Sequence, residues 1–366
     1  MKILHTEASC GWGGQEIRIL SEAQGLIERG HDVHLVCPPE ARIFTEAPRF
    51  GVPVEALPIG RKRLGGVLAM RAYLKQHPVD VINAHSSTDT WLAALACRLL
   101  ADAPPIVRTR HISAPLADNR ATRWLYADAT RYIATTGESL RAQLLETLHV
   151  APERVVSVPT GVDALRYRPA DADERAARRA QLGLPVGVPL VGIVATLRSW
   201  KGHRFLVEAF AGNVPAAAQL VIVGDGPQRE ALIAQVAELG LQDRVHLVGN
   251  HPDVVPWMQA LDVFVLPSYA NEGVPQALMQ AMACGLPCIT TDIGAIPELA
   301  QHEATALVVP PQDVAALDLA LNRLLGDAQL RQRLGQAARD HVLAAHGRET
   351  MLDRMESLFR KACGAA

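Results

Sequence analysis

Short apolar runs alternate along most of the chain with segments in which apolar side chains recur every three or four positions. The runs beginning Ile3-Leu4 and those at 33–37, 79–83 and 106–111 read as strands. Between them, 15–29 and 91–100 have helical spacing, and Gly30 closes the first helix. The segments 131–135, 137–148 and 155–158 continue the alternation. After residue 170 it restarts: 190–195, 221–223, 245–248 and 263–266 read as strands, 203–210 and 274–283 as helices, and 313–325 and 327–362 as amphipathic helices. Strand, helix, strand in succession predicts parallel pairing through right-handed crossovers, an α/β class with doubly wound sheets.

Length doubles that picture. A chain of 366 residues exceeds the usual domain of about 100 to 200, so two domains are expected. The Ala/Arg/Asp/Glu-rich stretch 170–181 reads as a solvated helical linker and puts a boundary near 170. A net charge of −2 argues against a polyanion binder, so nucleic acid is not an expected partner. Residues 1–7 turn polar too soon for a signal peptide, and no stretch of about 18 apolar residues occurs. The six cysteines show neither metal nor redox spacing. A reduced, cytoplasmic enzyme without a metal site is the expectation.

The stretch 267–287, PSYANEGVPQALMQAMACGLP, reads as a loop and helix after the strand 263–266. Pro275 suits a first helical turn, and Gly285 with Pro287 is a stop signal. Glu272, Gly273 and Val274 thus lie over a helix N-terminus, where free N–H groups favour an anion such as a diphosphate. In a tightly wound segment Glu272 and Gln280 share a face about two turns apart. An ordinary parallel-sheet unit with a solvated glutamate has the same pattern. The turn Gly11-Trp12-Gly13-Gly14 follows the first strand but is not a Gly-x-Gly-x-x-Gly fingerprint. Val36-Cys37-Pro38-Pro39 stands where a ribose-binding acid belongs, which argues against a nicotinamide dehydrogenase. His111 ends a strand at the edge where open parallel sheets place ligands, although a lone histidine is often structural.

The 267–287 segment resembles the donor-binding motif of retaining, nucleotide-sugar-dependent glycosyltransferases with the GT-B fold, the family 4-like, group 1 type. Their pattern, Glu-x7-Glu with a small-residue Gly-x-Pro tail, reads here Glu272-x7-Gln280 and then Ala281 to Pro287. The second acid of the family holds the nucleotide ribose; the amide of Gln280 offers an acceptor and donors instead. Lys201-Gly202 matches a family pair. The family arginine five or six residues earlier is replaced by Ala195 and Thr196, which leaves Arg198 as a shifted candidate. Both cations would stabilise charge on a departing nucleoside diphosphate. Family members carry a histidine at the place of His111, in contact with the transferred sugar, and a Gly-Gly loop at Gly13 and Gly14 that touches the diphosphate. The loop of Asn250 and His251 corresponds to one beside the nucleobase. Residues 159–169 resemble the family hinge, and 290–298 its post-motif loop, with Glu298 beginning a helix.

The resemblance implies two doubly wound Rossmann-like domains with an interdomain cleft: 1–169 for the acceptor, 170–345 for the donor, and a last helix in 346–366 that crosses back to the first domain. It implies transfer of a sugar from a nucleotide sugar, a UDP-sugar foremost, to a glycan or lipid-linked acceptor, with retention and without metal or cofactor. Bacterial cell-envelope polysaccharide or lipopolysaccharide synthesis is the expected setting. Arg61-Lys62-Arg63 before a helix bearing Leu68, Tyr73 and Leu74 fits either peripheral contact with the cytoplasmic face of the inner membrane or a solvated loop. A sugar-nucleotide epimerase, a phosphorylase and a weakly active nucleotide-sugar-binding partner stay open as alternatives.

Overall fold

Seven parallel strands make the sheet of the first unit: β1 (Lys2–Thr6), β2 (Asp32–Cys37), β3 (Val54–Ala56), β4 (Val81–Ala84), β5 (Ile106–Arg110), β6 (Tyr132–Thr135) and β7 (Val155–Ser157). The order is β3-β2-β1-β4-β5-β6-β7. The crossovers are α1 (Gly14–Glu28), α2 (Arg42–Glu46), α3 (Leu64–Gln76), α4 (Ser87–Cys97), α5 (Arg120–Arg123) and α6 (Glu138–Leu148). The structure, a computed structural model, describes residues 1–111, 116–148 and 150–364.

The second unit begins with α7 (Ala172–Gln181) and has six parallel strands: β8 (Leu190–Val194), β9 (Gln219–Val223), β10 (Val245–Gly249), β11 (Val263–Leu266), β12 (Cys288–Thr290) and β13 (Leu307–Val308). Their order is β10-β9-β8-β11-β12-β13. The helices α8 (His203–Phe210), α9 (Arg229–Glu238), α10 (Val255–Ala260), α11 (Gln276–Ala283), α12 (Val314–Gly326) and α13 (Ala328–His346) cover it. Every residue of β11 is fully or almost fully buried. Helices on both faces of a parallel sheet leave no solvated side, which is why these strands are apolar runs rather than alternations.

Packing divides the chain into Met1–Gly161 with Glu349–Ala366, and Val162–Arg348. The division falls before the 169/170 boundary read from composition, because Val162 and Tyr167 are buried in the second core. The composition shift marks the start of polar α7 instead. The expected helical stretch 327–362 is two helices. Gly347 takes extended geometry (φ −66°, ψ 146°) between α13 and the last helix, α14 (Arg348–Ala362). Met351, Leu352, Met355, Leu358 and Phe359 form the apolar stripe of α14 and join Ile19, Ala23 and Leu26 of α1 in the first core. Glu298 does not begin a helix; it ends the 3₁₀ turn Ile296–Glu298.

Candidate functional site

In the second unit β8, β11 and β12 are neighbours, so the loops leaving their C-terminal ends lie side by side. Two glycines let these loops touch. Gly202 has φ +77°, and a Cβ on it would stand 2.0 Å from the Pro267 carbonyl oxygen; Gly294 has φ +61°, and its Cβ would stand 2.0 Å from the Glu272 carbonyl oxygen. Only glycine takes both the left-handed backbone and the approach. Hydrogen bonds complete the join: Tyr269 N–H donates to Trp200 O (2.8 Å), Ala295 N–H to Glu272 O (3.3 Å) and the Thr291 hydroxyl to Ser268 O (2.6 Å).

Glu272 and Lys201 meet within this cluster. Lys201 Nζ donates to Glu272 Oε1 at 2.6 Å, and the Ser268 hydroxyl donates to the same oxygen at 2.6 Å. The side chains are 19% and 4% exposed, so each charge is largely removed from water and compensated by the other. Ser268, Thr291 and Gly294 received no role from sequence. A serine five residues after a strand start has no distinguishing pattern, and Gly294 was visible only as part of the 290–298 loop.

Helix α11 starts at Gln276, with extended Pro275 (ψ 116°) as its N-cap. Pro275 therefore precedes the first turn instead of occupying it. Glu272 lies four residues before the helix, next to Asn271 with φ +56°, so no helical spacing relates it to Gln280. Gln280 is half-buried within α11, and Gly273 and Val274 are half-buried in the loop. The Arg198 guanidinium lies over the Trp200 ring, 5.7 Å from its centroid, and makes no side-chain hydrogen bond to a described residue. Asn250 is exposed; His251 packs on Trp257 (4.6 Å) and shares a hydrogen bond with Val248 O (3.1 Å), beyond the end of β10.

In the first unit β1, β4 and β5 are neighbours, and their C-terminal edge brings three histidines into a chain. His5 Nδ1 lies 2.8 Å from His85 Nε2, and His85 Nδ1 lies 3.0 Å from His111 Nε2. Burial pushes His5 down to about 3 and His85 and His111 well below their ordinary value, aided by the Arg18 charge. All three are neutral at pH 7, and a neutral imidazole donates once, so the N–H groups of the chain point one way. His5 Nε2 is buried without a partner, which costs less for a lone pair than for an N–H. The donors accordingly run from His5 to His111, which holds its proton on Nδ1. Asp89 anchors the row by accepting from the Thr6 hydroxyl (2.7 Å) and from the backbone N–H of His85 (2.9 Å). Burial, then the Asp89 charge, raises the Glu7 carboxyl to about 8. Gly13 is the N-cap of α1 and Gly14 its first residue; a Cβ on Gly13 would meet only the Glu16 carboxylate, at 3.9 Å. His5, His85 and Asp89 were not singled out from sequence, although Ser86-x-x-Asp89 is a legible capping box.

Among the described residues no group of three or more His, Cys, Asp or Glu side chains is placed to hold a metal ion, and no helix is long and apolar enough to cross a membrane.

Comparison with known proteins agrees with this architecture. Residues 12–166 match the family model Glycosyltransferase Family 4, and 174–341 match Glycosyl transferases group 1. The chain is 30% identical to the D-inositol 3-phosphate glycosyltransferase of Nocardia farcinica over 96% of its own length and 86% of that protein. It is 27% identical, over 98% of its length and 96% of the relative, to an Escherichia coli UDP-Gal:alpha-D-GlcNAc-diphosphoundecaprenol alpha-1,3-galactosyltransferase. Among solved structures, Anabaena HepE in complex with UDP superposes with a TM-score of 0.85 at 21% identity, covering 99% of this chain and 100% of HepE. The chain belongs to the group 1, family 4 glycosyltransferases and has their GT-B fold of two parallel-sheet domains.

Proposed function

We propose that the protein transfers a sugar from a UDP-sugar to a glycan or lipid-linked acceptor in bacterial cell-envelope synthesis, with retention of configuration and without a metal. The observation that carries this reading is the buried Lys201–Glu272 pair at the loop edge of the second sheet, four residues before α11. Without ligand the two charges satisfy each other. A nucleoside diphosphate offers Lys201 a better partner, with the N–H groups at the start of α11 beside it. Glu272 is then freed to accept hydrogen bonds from sugar hydroxyls. Gln280 serves the ribose as a neutral group. Relatives add support: one is named for a UDP-Gal donor and a diphosphoundecaprenol-linked acceptor, and HepE structures hold UDP and UDP-glucose.

In the reaction the bond from the anomeric carbon to the β-phosphate oxygen breaks, and its electron pair stays on that oxygen. Lys201 and the α11 N-terminus stabilise the charge that forms. The acceptor hydroxyl attacks the same face of the sugar and passes its proton to the departing phosphate oxygen. His111, neutral, contacts the sugar as a hydrogen-bonding group. Exposed Leu64 and Leu68 on α3 beside Arg61 and Arg63 support a peripheral membrane contact near an acceptor of this kind.

The test is incubation with UDP-, GDP- and ADP-sugars and candidate acceptors, with product configuration read by proton NMR and parallel reactions in chelator. The expected result is one preferred UDP-sugar, a product with the donor's anomeric configuration and undiminished rates in chelator. An inverted product, or activity abolished by chelator, contradicts the mechanism.

A further inference from the structure

The amino edge of the first sheet holds a cavity of about 760 Å³, at the opposite end of β5 from His111. Leu100, Pro104 and Ile106 give it an apolar wall where the chain enters β5. Its charge comes from Arg98 just after α4, Arg131 just before β6, Arg154 just before β7, and Asp128. Three guanidinium groups against one carboxylate leave a net +2 facing a space much larger than a bare ion fills.

The three arginines are engaged differently. Arg154 is structural: Nε donates to Arg131 O (3.0 Å), Nη1 to Ala127 O (2.6 Å) and Nη2 to Thr130 O. Arg98 and Arg131 have no comparable partners. Neither guanidinium makes a hydrogen bond or ion pair with a described residue, and neither does the Asp128 carboxylate beside them. A single exposed arginine signifies little. Two that converge on one concave wall, neither paired with the carboxylate that shares it, make a cleft whose field attracts anions.

A single π-helical turn, Trp124–Ala129, continues α5 and forms part of the wall. Ala127, Asp128 and Ala129 line the amino-edge cavity, whereas Leu125 and Tyr126 line a cavity of about 270 Å³ beside His111. One turn of helix therefore touches both ends of β5. Such turns carry one residue more than the α-helical ladder accommodates and recur at functional sites. Here the far end is pinned, by Arg154 at the Ala127 and Thr130 carbonyls and by the Thr130 hydroxyl, which donates to Leu125 O (2.7 Å). The near end bears on two arginines: the Tyr126 hydroxyl accepts from Arg110 Nη1 at 3.0 Å, and its ring lies 4.4 Å from the Arg108 guanidinium. A displacement of Asp128 or Ala129 thus reaches groups beside His111 within one turn.

We propose that the amino-edge cavity is an effector site for the phosphate monoester of a small hydroxylated molecule, which acts on the far end of β5 through the π turn. A phosphate dianion matches the net +2, and its terminal oxygens suit the guanidinium forks of Arg98 and Arg131. Asp128 accepts from hydroxyls of the organic body, whose carbon face lies on the apolar wall. Sugar phosphates and mononucleotides share this chemistry. An effect on transfer rests on the transferase reading; the binding site does not.

Isothermal titration calorimetry on the full chain tests the binding, with saturating UDP present to occupy any diphosphate site of the second unit. Glucose 6-phosphate and UMP are the probes, glucose and malate the comparisons. Wild type should bind at least one of the two esters. Arg98→Gln and Arg131→Gln, at exposed positions that do not threaten folding, should each bind it about tenfold more weakly with unchanged UDP affinity. No ester binding in wild type, equal affinity in wild type and both variants, or glucose or malate bound as tightly as the ester would each overturn the proposal. Tighter binding of glucose 6-phosphate assigns the site to a sugar phosphate, and tighter binding of UMP to a nucleotide. Hydrogen exchange reads the coupling: the bound ester should slow the amides of 124–130 in wild type and leave them unchanged in Arg131→Gln. Binding that leaves this segment unaltered in wild type overturns the effector role, as does a transfer rate that saturating ester does not change. If no donor and acceptor react at all, the transferase reading fails, while calorimetry and exchange still decide the site.

Discussion

At the scale of single residues, the first unit stores its chemistry as neutral groups. His5, His85 and His111 are held below the ordinary histidine value of 6.5, chiefly by burial. Above that value neither folded nor unfolded chain binds the extra protons, and stability is unaffected. Below it the unfolded chain takes up three protons that the folded chain refuses, each worth about 1.4 kcal/mol per pH unit. Glu7 acts in the opposite sense. Its folded value of about 8 exceeds the ordinary 4.5, so the folded state gains stability as pH falls through that range. Taken together, these four groups make the folded state lose stability as pH falls below 6.5, the three histidines outweighing Glu7. Denaturant midpoints across this range measure it, and a flat profile would contradict the neutral histidine row. Sequence showed one end of that row, because His111 closes a legible strand. The other two histidines were opaque: His5 sits inside an apolar run and His85 in a turn, and only the β1-β4-β5 adjacency joins them.

At the scale of elements, the proposed donor site is a junction of loops, and its glycines are the joints. Gly202→Ala must place a Cβ 2.0 Å from Pro267 O in a left-handed backbone, which parts the Lys201 loop from the Glu272 loop. The expected cost is roughly 3 kcal/mol or more, with UDP binding lost. Gly240→Ala, also left-handed (φ +66°) but with nothing within 4 Å, should cost only about 1 to 2 kcal/mol and leave UDP binding unchanged. Thermal melts and UDP titrations of the pair measure both, and equal behaviour would contradict the role given to loop contact. Much of this layer was legible. The alternation of apolar runs and helical spacing located the strands, and parallel strands covered on both faces could hardly read otherwise. What stayed hidden was the join: Lys201 and Glu272 are far apart in sequence, and Ser268 became visible only where its hydroxyl meets the carboxylate. The start of α11 was misread because Pro275 fits an N-cap as well as a first turn.

At the scale of the molecule, the chain's last helix belongs to its first core. Leu352 fills the space over Gly25, where a Cβ would stand 2.4 Å from Leu352 Cδ1, and Arg29 pairs with Glu349 (2.7 Å), Asp353 (2.9 Å) and Glu356 (3.2 Å) of α14. Leu352→Ala should therefore cost about 2 to 5 kcal/mol, while Arg29→Ala, losing pairs with exposed Glu349 and Asp353 and half-buried Glu356, should cost less. A loss under about 1 kcal/mol at Leu352 would contradict α14 as part of that core. Family membership fixes transferase chemistry, and the proposed donor site is the Lys201–Glu272 pair. Its most direct test is calorimetric titration of UDP into wild type and Lys201→Ala, both checked for folding. The account predicts saturable one-to-one binding in wild type and affinity about ten- to a hundredfold lower in the variant, the worth of a charged hydrogen bond to the diphosphate. Equal affinity in the two proteins would contradict it and move the donor away from the Lys201–Glu272 pair.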